Sequence, residues 1–239
     1  MTKNIAMIPA RIGSTRLPKK NLALLGGRPL ISYAIQSALE SGVFDRVVVN
    51  GDDEAFEPIA REYGAEFYLR PKHLGSSDAR SDDVVYDFMQ AHPADVVVWV
   101  NPIAPLQPAE EIRRVIEHFH NNGLDSLITV KEEQVHAVLG GEPLNFKSEG
   151  LFAKTQELKP VQLFVYSIMM WQSACFRQHY ERDGYALLSG RLGYFPVSKE
   201  SSVIIKYQED LDLAEQILLS RKKVKRYYEA PQKKKKQQY

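Results

Sequence analysis

Short β-branched and apolar runs alternate with stretches of helical spacing through the first half of the chain, and the runs stop at polar or turn-forming residues. Ile5 to Ile8, "RVVVN" at 46–50, "AEFYL" at 65–69, "DVVVWV" at 95–100 and "SLITV" at 126–130 read as strands. Leu30 to Leu39, Phe56 to Tyr63, Val84 to Met89 and Ala109 to Phe119 carry helical periodicity between them. Gly64 suits a helix end, and Glu110 and Glu111 suit a first helical turn. Strands that are apolar throughout must be covered on both faces, so the pattern predicts an α/β fold, a mostly parallel sheet flanked by helices. Ligands of such sheets meet the carboxyl ends of the strands. The loop after the first run and the turns Asn50–Asp53 and Asn101–Gln107 should therefore share one edge.

The second half is less regular. Residues 131–160 are polar and hold Gly140, Gly141, Pro143 and Gly150, which suits an arm leaving the sheet. Strand-like content returns at 161–171 and 192–197, and Asp210 to Leu219 is an amphipathic helix. Met169, Met170 and Trp171 read as core or subunit packing. One domain over 1–220 is expected, followed by a basic, disordered tail at 221–239 with nine Lys or Arg and one Glu.

Charge sharpens the reading. The whole chain carries +1, so the body without the tail has 22 basic and 29 acidic residues, a net of −7. That balance does not suit a nucleic-acid binder. No apolar run reaches membrane-span length, no long apolar leader opens the chain, and Cys175 is the single cysteine. A cytoplasmic protein without disulfides is expected. A zinc site lacks its ligands, and no nucleophile elbow is present.

Against an acidic body, "PARIGSTRLPKKN" at 9–21 is a basic exception at the end of the first strand. Gly13 permits close backbone approach, Ser14 and Thr15 offer hydroxyls, and Arg11, Arg16, Lys19 and Lys20 supply positive charge. Such a loop suits phosphate groups. It matches neither the Walker pattern nor G-x-G-x-x-G. Asp52 and Asp53 end the second strand; they suit either a hard cation or plain turn chemistry. Arg70 reads equally as a surface partner of Asp78 or Glu66 or as a ligand-facing cation.

"IPARIGSTRLPKKNL" resembles the signature loop of the sugar-acid cytidylyltransferases, the CMP-N-acylneuraminate synthetases and their 3-deoxy-manno-octulosonate relatives. Lys20-Asn21 resembles the acylneuraminate branch. "VVVNGDDEAFEPIAREYGAEFYLRP", "DARSDDVV", "VNPIAPLQPAEEI" and "VIIKYQEDLDLAE" follow in the order of that family, so the resemblance spans residues 4 to 217. It implies a Rossmann-like nucleotidyltransferase fold with a protruding dimerisation arm, a homodimer, and transfer of CMP from CTP to a sugar acid with release of pyrophosphate. Magnesium is the implied cofactor. Arg11, Gly13, Ser14 and Lys20 would hold phosphates, with Arg11 and Lys20 bearing the developing charge. Asn21, Arg70 and Ser81 would serve the nucleotide, Asn101 and Gln107 the acceptor, and Asp52 the metal.

The sequence also departs from that pattern. Ile204 and Lys206 stand where the family has two metal-associated Asp, so Lys206 is a candidate substitute for the metal's charge. Asn101 replaces a Gln, Ile103-Ala104 a Thr-Ser, Gln107 an Arg, and Tyr166-Ser167 an Asn-Gly. A less polar acceptor pocket follows, and with it an acceptor other than ordinary sialic acid. Two alternatives stay open: a member that binds nucleotide or sugar without turnover, and a nucleotidyltransferase with another acceptor.

Overall fold

Ile5, Ala6, Met7 and Ile8 have no solvent exposure, as a strand with both faces covered requires. A computed structural model of the chain describes residues 2–220, so the basic stretch 221–239 lies outside the described residues. The chain runs β1 (Asn4–Ala10), a small hairpin of β2 (Leu24–Leu25) and β3 (Arg28–Pro29), α1 (Leu30–Ser41), β4 (Arg46–Gly51), α2 (Glu57–Glu62), β5 (Glu66–Leu69), α3 (Ser81–Ala91), β6 (Val96–Val100) and α4 (Ala109–Asn121). It continues through β7 (Ser126–Glu133), a second hairpin of β8 (Val138–Leu139) and β9 (Glu142–Pro143), β10 (Val161–Gln172), α5 (Ser173–Asp183), β11 (Leu192–Pro196) and α6 (Gln208–Leu219).

Seven strands form one sheet in the order β11-β7-β10-β6-β1-β4-β5. β1 pairs in parallel with β4 and β6, and β4 with β5. Alternate residues of β1 serve two cores: Ala6 and Ile8 join Ile31, Ile35 and Phe119, whereas Ile5 and Met7 join Phe88, Trp171 and Phe176. The sheet is thus mostly parallel, as expected, with one exception. β10 lies antiparallel between β6 and β7 because the chain returns from the 134–160 excursion in the opposite direction.

Several elements depart from expectation. β7 runs on to Glu133, so the irregular excursion begins at 134 rather than 131. The helix expected over 56–63 is a tight turn at Glu54–Phe56, where Asp53 accepts the Ala55 N–H, followed by α2. α5 is a largely polar helix with only Ser173 and Phe176 fully buried, which leaves little periodic signal. The excursion itself exposes Val138, Leu139, Leu151 and Phe152.

β10 breaks register between Phe164 and Met169. At this bulge Tyr166 adopts φ 58°, a left-handed conformation that strains a residue with a bulky side chain. The surroundings hold it. Thr129 Oγ1 accepts the Ile168 N–H at 3.0 Å and lies 3.0 Å from the Ser167 hydroxyl. From the other side, Asn101 donates its backbone N–H to the Ser167 carbonyl and its Nδ2 to the Tyr166 carbonyl.

Thr129→Val keeps the volume but leaves the Ile168 N–H buried and unpaired. The expected loss of stability is about 1–3 kcal/mol. Urea unfolding measures it, and an unchanged midpoint would show that Thr129 does not hold the bulge.

Candidate active site

The carboxyl ends of β1, β4 and β6 open on one edge, as the parallel pairing dictates. A cleft of about 260 Å³ lies there. It brings together Arg11, Ser14, Lys20, Asn21, Arg70, Ser81 and Asn101, residues spread over ninety positions of sequence. Gly13 and Gln107 do not line it.

The loop that supplies four of these residues is anchored at both ends. At its start, the Ile12 N–H donates to Asp52 Oδ1 at 2.9 Å. Farther along, Leu17 is buried against Leu25, Leu106, Ile205 and Leu211. Between the anchors, Lys19 takes φ 50° before the short turn Lys20–Leu22. Lys20 Nζ then donates to the Ile205 carbonyl at 3.1 Å, joining the loop to a segment 185 residues away. Nothing lies within 4 Å of a Cβ placed on Gly13, so packing alone leaves that position free for a side chain.

Arg70 forms the cleft floor. It is 5% exposed and pairs with neither Asp78 nor Glu66, which removes the surface-pair reading. Its NH1 donates to the Asn50 carbonyl at 2.7 Å and its Nε to the Leu74 carbonyl at 3.2 Å. Asp52 Oδ2 stands 4.0 Å from its NH2. Burial lowers the Arg70 pKa, and Asp52 opposes that shift. Gly75 packs on Asp52 so closely that an added Cβ would come within 2.7 Å of the Asp52 Cβ.

Ser81 opens α3 and faces the cleft, but the two acids after it serve the scaffold. Asp82 accepts the Ala186 and Leu187 N–H groups, and Asp83 accepts from Arg80 and the Tyr180 hydroxyl. Asn21 is nearly buried; its Nδ2 donates to the Arg11 carbonyl at 3.4 Å, while its Oδ1 meets no donor among the described residues. An unpaired buried acceptor at a cleft wall is suited to a ligand donor.

Gln107 was expected beside the acceptor. The structure places it elsewhere, 4% exposed, with Nε2 donating to Glu111 Oε2 and its carbonyl accepting from Ser37. Successive turns through Ala104 carry the chain away from the strand edge before residue 107. Glu111, expected as a simple helix-start acid, is 1% exposed and also accepts the Ser198 N–H.

Electrostatics favour an anion. Among the described residues, Arg11, Arg16 and Lys20 form no ion pair within 4 Å. The Lys20 pKa is lowered, first by burial and then by Arg16 and Arg11; Lys206 adds to the effect and Asp210 opposes it. An anion in the cleft would relieve this crowding.

The donors do not fit a protein-held magnesium ion, which needs several oxygen ligands. Asp52 turns one oxygen to the Ile12 N–H and the other toward Arg70. Ile204 offers no oxygen ligand, and Lys206 presents an ammonium. Asp210 Oδ2 caps the Lys206 and Tyr207 N–H groups. No three His, Cys, Asp or Glu side chains converge among the described residues.

The sequence matches a family model described as "Cytidylyltransferase" over residues 5–236. The chain belongs to the cytidylyltransferase family. A pseudaminic acid cytidylyltransferase of Campylobacter jejuni is 38% identical over 54% of this chain and 59% of its own length. An N-acylneuraminate cytidylyltransferase of Streptococcus agalactiae is 32% identical over 57% of this chain and 34% of its own. Both matches therefore span less than two thirds of the relative. In fold, a CMP:2-keto-3-deoxy-manno-octonic acid synthetase complexed with CTP superposes with a TM-score of 0.70 at 14% identity, covering 91% of this chain and 99% of that one.

Sequence reasoning missed several parts of this cleft. The Ile205 carbonyl that meets Lys20 is a backbone group and leaves no residue signature. Trp99 and Ser76 also line the cleft. Their strand and turn positions alone do not single them out. Arg16 lies over the Tyr207 ring, 5.8 Å from its centroid, a pairing that only the docking of the loop on α6 creates.

Proposed function

We propose that the protein transfers CMP from CTP to a sugar acid and releases pyrophosphate. The observation that carries this reading is the convergence of unpaired Arg11 and Lys20 with Asn21, Arg70 and Ser81 in one cleft at the strand ends. The named activities of the relatives support it. In this reading Arg11, Ser14 and Lys20 hold the triphosphate, with the backbone at Gly13 passing alongside. Asn21, Arg70 and Ser81 serve the nucleoside, and Asn101 faces the acceptor side.

The acceptor hydroxyl oxygen bonds to the α-phosphorus while the bond from that phosphorus to the α–β bridging oxygen breaks. Pyrophosphate leaves with the electron pair, and the hydroxyl proton passes to solvent. Arg11 and Lys20 stabilise the charge that gathers on the leaving oxygens. A second reading, binding without turnover, is favoured by Ile204 and Lys206 in place of oxygen ligands. Pyrophosphate release with CTP and sugar acids separates the two.

We also infer a cytoplasmic reaction by a homodimer. Among the described residues no helix is long and apolar enough to cross a membrane, and one cysteine suits a reducing compartment. Exposed Val138, Leu139, Leu151 and Phe152 on the excursion give a second copy an apolar surface to cover. Sedimentation at micromolar concentration is expected to show a dimer; a monomer would remove this proposal.

Arg11→Ala and Lys20→Ala should each weaken CTP binding about tenfold to a hundredfold, since each removes a charge-assisted contact worth roughly 1.5–3 kcal/mol. Calorimetric titration reads this. The lowered Lys20 pKa adds a pH signature. Bound phosphate raises that pKa again, so binding takes up a proton once the pH exceeds the free-site value. Affinity should stay flat below that value and fall above it, sooner than the ordinary lysine value of 10.5 would imply. Wild-type affinity in both variants would remove the loop from the site.

Lys206 supplies a further test. Its ammonium lies near enough to contribute to the lowered Lys20 pKa, and here it replaces part of a cation's charge on the phosphates. CTP binding should persist in excess chelator and weaken in Lys206→Ala. Loss of binding on chelation, with Lys206→Ala matching wild type, would sink the substitution.

A further inference from the structure

We propose that Trp99 positions the nucleobase: its indole N–H donates to the 2-carbonyl of a pyrimidine bound in the cleft. This rests on the CMP-transfer reading above and adds a specificity-determining residue to it. β6 reads Val-Val-Val-Trp-Val. Its four valines are buried, whereas Trp99 keeps some exposure and lines the cleft. Trp99 stands one residue ahead of the segment "VNPIAPLQPAEEI", so the family resemblance assigns it no role.

Topology sets Trp99 where a ligand must come. From β1 the chain passes to β4 and β5 on one side, then crosses to β6 on the other. Ligands of a parallel sheet bind where the strand order reverses in this way. The β1–β6 ladder ends at the pair Met7 and Trp99, and beyond it Pro9, Ala10 and Asn101 line the cleft. Trp99 is therefore the last paired residue of β6 at the reversal. A valine there would continue the strand as its neighbours do, with no polar side-chain group to satisfy.

The indole carries such a group. Trp99 Nε1 is buried and meets no acceptor among the described residues, whereas Trp171 Nε1 donates to the Leu187 carbonyl at 2.8 Å. An unmet buried donor is costly, and a ligand acceptor recovers that cost. Charge decides which part of a nucleotide supplies the acceptor. Arg11 and Lys20 form no ion pair and suit phosphates, while Leu74, Ala79 and Val84 add uncharged, apolar surface to the same cleft as Trp99. A flat base gains from such surface and a charged phosphate loses. Asn21 supplies the complement. It is 6% exposed, its Nδ2 is committed to the Arg11 carbonyl, and its Oδ1 is unmet. Among the buried side chains described in the cleft, the unmet groups are thus one donor and one acceptor. Cytosine answers the first with its 2-carbonyl and the second with its 4-amino group.

Calorimetry compares CTP with two ligands that lack the base, inorganic tripolyphosphate and ribose 5-triphosphate, on the wild type and on Trp99→Phe. This variant removes the N–H and keeps an aromatic wall. CTP affinity should fall about tenfold, with both base-free ligands within about twofold of wild type. An equal loss with either base-free ligand overturns the proposal, as does unchanged CTP affinity. NMR of the wild type keeps the test independent of how the variant folds. The chain has two tryptophans. On adding CTP one indole N–H should move downfield and exchange more slowly, the already bonded Trp171 N–H should stay, and tripolyphosphate should move neither. Two unmoved indole signals with CTP bound overturn the role of Trp99 alone. Failure of the wild type to bind CTP strikes the transfer reading itself instead.

Discussion

The Asp52 carboxylate, nearly buried at the end of β4, is the contact on which the cleft's geometry depends. One oxygen holds the Ile12 N–H at the start of the basic loop, and the other faces Arg70. Arg70 in turn grips the Asn50 and Leu74 carbonyls. Loop, strand end and the turn after β5 are thus fixed to one another through a single anion. The same carboxylate offsets the burial of a guanidinium that would otherwise sit unpaired beneath the cleft.

Above that anchor the charges are arranged for a guest. Burial first, and then the nearness of Arg16, Arg11 and Lys206, lower the pKa of Lys20 at their centre. The cluster persists because neutral contacts hold its members: a backbone carbonyl for Lys20, the Ser76 carbonyl for Arg11 and an aromatic ring for Arg16. Such contacts orient a cation without neutralising it. On the proposed reading, a triphosphate would find positive charge already in place and give up little to reorganisation.

Much of this was legible in the sequence, for identifiable reasons. Parallel strands buried on both faces write themselves as apolar runs, so β1, β4 and β6 and the edge they share could be read directly. The basic loop was legible because its charge opposes that of the body. Gln107 was misplaced because motif order does not reveal a turn that folds back under a helix. Asp52 carried a pattern that fits a metal ligand and a backbone clasp equally well, and only the Ile12 N–H decides how its oxygen is used. β10 read as a strand, but its direction depends on an excursion with no periodicity to follow.

The bond from Lys20 to the Ile205 carbonyl also bears on how the protein is made. Lys20 leaves the ribosome 185 residues before Ile205. Much of the parallel half of the sheet, β1 and β4 to β6 with α1 to α4, lies upstream of residue 122 and can assemble while synthesis continues. It would then present its cationic loop without the Ile205 carbonyl that orients Lys20. A nascent chain or a fragment ending after α4 accordingly carries every residue that lines the cleft, Pro9 to Ile103, but lacks the carbonyl that fixes Lys20, which arrives only as the segment before α6 docks.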